Sequence, residues 1–269
     1  MNLMYRLLGL AGIILLLYLQ TFMWLLESWL YDPFYSHGFL VPVISIIIIW
    51  SRRGELKNIT LKRDPLGVYI FTLGLILYAA GFLWKSFFLS GVSGIPLITG
   101  LILHFYGREL MNKILFPVCF LIFMIPLPGL YGVSFYLQHF TAISAAAISQ
   151  ALGAGVYANG LEIQVAGCQI IIGIPCSGLR SIISLLMVAC VFVYLIRGSV
   201  QRKAIILFSA LPIAIISNVI RVTLAILIAD YFGCDAATTF FHDFSGIFLF
   251  VISIIMLIII SKILKCNIF

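Results

Sequence analysis

Charge is what this sequence most lacks. Of its 269 residues only 9% are Asp, Glu, Lys or Arg, against 63% hydrophobic, and the mean hydropathy is +1.20. A water-soluble domain carries about 25% charged residues, so a soluble fold is excluded. Also missing is any C-x-x-C pair or His/Cys spacing of the kind that holds zinc. The six cysteines are scattered through apolar sequence, which is no disulfide framework. Neither a metal nor a cofactor is expected. The opening apolar run lacks a small-x-small cleavage site and reads as a span, not a signal peptide. Too little polar sequence remains for a separate soluble domain, so residues 1–269 read as one integral-membrane domain.

What is there is a series of apolar runs, each near the ~20 residues that cross a bilayer as a helix. The expected spans are 7–26, 36–50, 66–84, 88–105, 113–127, 178–196, 204–231 and 245–261. The fold class is therefore an all-α polytopic membrane protein of about eight transmembrane helices, with both termini cytoplasmic. The net charge of +7 does not point to nucleic acid, because the basic residues fall in short loops between apolar runs. In this topology every Lys and Arg except Lys85, Arg180 and Arg221 lies on the cytoplasmic side, as the positive-inside rule requires.

One further helix is expected over 131–152. Its polar residues Ser134, Gln138, Thr141, Ser144 and Ser149 recur at steps near three or four and share a face. If it crossed the bilayer, Arg197, Arg202, Lys203, Lys262 and Lys265 would all move outside, so it reads as an outer amphipathic helix in the interface. Glycine-bounded alternation over 160–165 and 167–173 then predicts a small β-hairpin. Either this hairpin caps the helix ends, or an edge strand at 161–165 aligns an extended peptide.

The residues that carry chemistry cluster on the outer side. Cys176, in Pro175-Cys176-Ser177-Gly178-Leu179-Arg180, precedes a hydrophobic helix whose N-terminus favours a negative sulfur. Arg180, four residues on, is expected to add to that effect. A buried, inert thiol is the other reading of such a cysteine. Arg221 stands ~25 Å along a helix that enters from the cytoplasm at 204, since the rise is about 1.5 Å per residue. That brings it to the depth of Cys176, where an arginine is a functional signal. Asn218 shares its face. His242 and His37 sit beside span ends on the same side. Cysteine, arginine and histidine at one depth supply a nucleophile, an oxyanion donor and a base.

Taken in order, Tyr35-Ser36-His37-Gly38-Phe39-Leu40-Val41-Pro42, Pro175–Arg180, Asn218-Val219-Ile220-Arg221-Val222 and His242 resemble the exosortase/archaeosortase family of membrane transpeptidases over most of the chain. The resemblance implies a catalytic set of Cys176, Arg221 and His242. Arg180, Asn218, Ser177 and His37 are the candidates for substrate binding or support of that set. It also implies an inner (cytoplasmic) bacterial membrane location with the site outside. The implied partners are membrane-anchored proteins bearing a C-terminal tripartite sorting signal, cleaved through a Cys176 thioester. A competing reading is a transporter or flippase that binds an anionic lipid or glycan group through Arg180 and Arg221; a third is a structural assembly subunit. Cys168, Cys176 and Cys234 all lie outside in this topology, and the sequence leaves open which of them pair.

Overall fold

The computed structural model describes residues 3–165, 167–239 and 245–268. They group into two compact units, Met1–Pro128 and Gly129–Phe269.

The first unit is helical throughout. Where one span was expected over 7–26 there are two helices, α1 (Leu3–Leu17) and α2 (Leu19–Tyr31), broken at Tyr18. They are followed by α3 (Leu40–Ser51), the single turn α4 (Arg53–Leu56), α5 (Leu66–Leu83), α6 (Phe87–Tyr106) and α7 (Arg108–Phe120), which tightens into a 3-10 turn at Leu121–Met124. Helices α5 and α6 form a close antiparallel hairpin. Gly67, Gly74 and Gly81 recur every seven residues, face α6 and are buried. A methyl group at Gly74 would stand 2.7 Å from the Leu97 nitrogen, so the small residues are what let the two backbones meet. At the start of α7, Lys113 pairs with Glu55 at 2.8 Å and Arg108 pairs with Asp64. At the far end, the Trp29 indole donates to the Met124 carbonyl and the Leu127 N–H donates to the Tyr35 hydroxyl, both at 2.8 Å.

The second unit holds the long helices and the sheet. Helix α8 (Leu130–Ala151) leads into strands β1 (Val156–Asn159), β2 (Glu162–Val165) and β3 (Cys168–Ile171). A 3-10 turn, Ile174–Cys176, precedes α9 (Leu179–Leu195). After α9 come α10 (Val200–Phe232), α11 (Cys234–Thr239) and α12 (Ser245–Ile263). Ser199 caps α10 by accepting the Arg202 N–H at 3.5 Å, and Gly233 ends it at φ +87°. Leu185, Ala189, Ile206, Ala210 and Leu257 are fully buried where α9, α10 and α12 meet.

Two expectations are corrected here. The expected hairpin is present as β2 and β3, but β1 extends it to a three-stranded antiparallel meander in the order β1-β2-β3. Residues 162–165 therefore form its central strand, paired on both sides, and no peptide can add to an edge there. The second correction concerns α8. Its polar residues do share a face, but Ser134, Gln138, Thr141 and Ser149 are buried, whereas Tyr136, Phe140 and Ile143 are exposed. Three of these groups find partners inside: the Gln138 amide donates to the Ser134 hydroxyl at 3.1 Å, and Thr141 accepts from Asn218, while the Ser149 hydroxyl is buried without one among the described residues.

Among the described residues four helices are long and apolar enough to cross a bilayer: Leu66–Leu83, Phe87–Tyr106, Val200–Phe232 and Gly246–Ile263. Leu40–Ser51 and Leu179–Leu195 are apolar but shorter. Their outward faces carry exposed Ile76, Phe208 and Ile247, a surface suited to lipid and not to water. The protein is a multi-pass membrane protein.

Candidate active site

Cys176 closes the 3-10 turn. Its N–H donates to the Gly173 carbonyl at 2.9 Å, and the Ser177 N–H donates to the Ile174 carbonyl at 3.1 Å. The Ser177 hydroxyl completes the turn, donating to the Ile174 carbonyl at 2.8 Å and accepting the Leu179 N–H at 3.2 Å. Ser177 thus shapes the turn. Gly178 is left-handed at φ +76°, and a Cβ there would fall 2.8 Å from the Asn218 Cβ. Two separate constraints, backbone and space, therefore ask for glycine.

This turn changes the reading of Arg180. Cys176 lies before the left-handed break and outside α9, so the one-turn spacing that would put Arg180 over the sulfur does not apply. The cation acting on the thiol is Arg221, from α10. Its guanidinium donates to the Pro175 carbonyl at 2.6 Å and to the Asn218 side-chain oxygen at 2.9 Å. The Asn218 amide donates to the Cys176 carbonyl at 2.7 Å and to the Thr141 hydroxyl at 3.1 Å. The depth count that put Arg221 level with Cys176 is met by these contacts.

Cys176 is buried, and burial pushes its thiol above the usual range. Arg221 and a backbone hydrogen bond at Gly173 oppose that rise without overcoming it. Desolvation thus outweighs the nearby charge at this cysteine, against the expectation that the helix start and an arginine would together favour a negative sulfur. Cys168 and Cys234 form a disulfide, tying β3 to the start of α11, and Cys176 is free.

Beside this network a cavity of about 340 Å³ is lined by Arg180, Ser181, Ser184, Arg221, Gly246 and Phe250. Arg180 faces it and is exposed. His37 lies in the first unit, buried, with its ring 5.7 Å from that of Tyr35. His242 lies outside the described residues. Thr141 is the residue that sequence reading missed as part of the site; its place in the polar stripe of α8 was the signal.

The fold and the site define a multi-pass helical membrane protein with a free, buried cysteine just before one helix and an arginine of the next bonded to the carbonyl of the preceding Pro175. The chain is a member of the transmembrane exosortase family, whose model matches residues 29–259. That stretch takes in Tyr35–Pro42, Cys176, Arg221 and His242. No curated protein and no solved structure matches the chain.

Proposed function

We propose that the protein is a membrane cysteine transpeptidase or peptidase that cleaves the C-terminal sorting signal of exported proteins outside the cytoplasm. The observation that carries this reading is the Arg221 guanidinium bonded to the carbonyl of Pro175, next to the free thiol of Cys176, in a chain of the exosortase family. Burial disfavours the charged form of the Cys176 thiol, so the reaction needs a base, and His242 takes that role. It accepts the Cys176 proton, and the thiolate adds to the scissile carbonyl. Arg221 stabilises the oxyanion. The C–N bond breaks as His242 returns the proton to the leaving amine, and a thioester remains on Cys176. An acceptor nucleophile, deprotonated by His242, then displaces the thiolate, and His242 returns that proton to Cys176. The disulfide between Cys168 and Cys234 supports an extracytoplasmic site, since such bonds persist in oxidising compartments. The proposed topology is the eight-span one, both termini cytoplasmic, in the cytoplasmic membrane of a bacterium.

The cavity flanked by Arg180 and Arg221 favours one second reading, a transporter or flippase for an anionic lipid or glycan group. Cys176→Ala and Arg221→Ala separate the two. On the transpeptidase reading each variant still inserts into the membrane but no longer shortens a co-expressed protein with a tripartite signal. Full processing by Cys176→Ala would end that reading.

A further inference from the structure

We propose that Thr141 and Asn218 are positioning residues for the thiol site, and that α8 thereby belongs to the catalytic apparatus. This rests on Cys176 being the nucleophile. Asn218 is 4% exposed and Thr141 2%. A side-chain amide has two N–H donors and one acceptor oxygen, and here each is used. One N–H goes to the Cys176 carbonyl at 2.7 Å, the other to the Thr141 hydroxyl at 3.1 Å, and the oxygen takes a guanidinium N–H of Arg221 at 2.9 Å.

The orientation of the amide follows from its partners. Arg221 can only donate and a carbonyl can only accept, so a flipped amide would set donor against donor and acceptor against acceptor. Thr141 takes the remaining N–H and fixes the plane in which the amide lies. Without that hydroxyl a buried N–H is left unmet, a costly state that the side chain relieves by rotating. Rotation loosens its hold on the Cys176 carbonyl and on Arg221 together. The bare α-carbon of Gly178 leaves the room in which Asn218 sits. Through Asn218, a residue on α8 thus governs how firmly an α10 cation is held beside a turn between β3 and α9.

The charges that bear on the thiol are few among the described residues. Arg221 acts on it from α10, and Arg180 of α9 acts on Arg221 in turn. Helix α8 carries His139, whose ring meets that of the exposed Phe135 edge to face at 4.7 Å.

The test is the rate at which iodoacetamide alkylates Cys176 in the full-length protein in lipid nanodiscs, read by peptide mass spectrometry across the thiol titration range. Alkylation follows the thiolate fraction. Thr141→Val is expected to slow it about fivefold at neutral pH, the factor of one ordinary hydrogen bond, and to move the midpoint upward. Thr141→Ser should restore both. If Thr141→Val does not fold, Thr141→Ala, which adds no bulk, is read in the same way. A wild-type rate and midpoint in the hydroxyl-deleted variant would overturn the positioning role, and so would a Thr141→Ser protein as slow as that variant. Either result leaves Cys176 as nucleophile untouched. Processing that survives Cys176→Ala would remove the nucleophile instead, whatever the alkylation series shows.

Discussion

Burial raises the Cys176 thiol and the Arg221 guanidinium draws it part of the way back. Removing the cation therefore has a definite sign. In Arg221→Ala the thiol should titrate still higher and alkylate measurably more slowly at neutral pH. Arg221→Lys should recover much of this, because both bonds leave the single terminal nitrogen Nη2 and an ammonium also carries several donors on one nitrogen. Arg180→Gln should leave the midpoint near that of the wild type. The pairing of Cys176 with Arg221 was legible in the sequence because depth along a helix is a count of residues. The rank of the two arginines was not. Arg180 is nearer in the chain, and only the left-handed Gly178 takes it off the cysteine's face.

At the scale of elements, periodicity reported that Ser134, Gln138, Thr141 and Ser149 lie together on α8, but not which way they face. In water the polar face of a helix turns out. Beside lipid the reverse is stable if the polar groups find partners inside, as Ser134, Gln138 and Thr141 do here. Strand β1 went unread because Val156-Tyr157-Ala158-Asn159 follows Gly153 and Gly155 and is too short to show alternation. The disulfide joining β3 to α11 closes a loop of 66 residues. Its loss should destabilise the second unit by about 2–4 kcal/mol. Cys168→Ala, Cys234→Ala and the double variant should show the same drop in thermal midpoint in detergent, since either change removes the whole bond. A double variant clearly worse than both singles would mean that the cysteines act separately.

For the whole molecule, the arrangement of basic loops makes the proposed topology testable. A thiol-specific, membrane-impermeant label should reach a cysteine placed at Asn159 in intact cells, and one placed at Lys57 only after permeabilisation. Equal labelling at both would overturn the eight-span topology. Helix α10, at 33 residues, runs about 50 Å, more than the ~30 Å hydrocarbon layer. The helix that carries Arg221 and Asn218 is thus long enough to continue past the membrane. Outside the cytoplasm a lone thiol faces oxidants and disulfide exchange. Those reactions select thiolates that are exposed. The protein pairs Cys168 with Cys234 and keeps Cys176 buried, where desolvation disfavours its charged form. On the proposed function, burial is thus a form of preservation, holding the thiol intact between encounters with substrate.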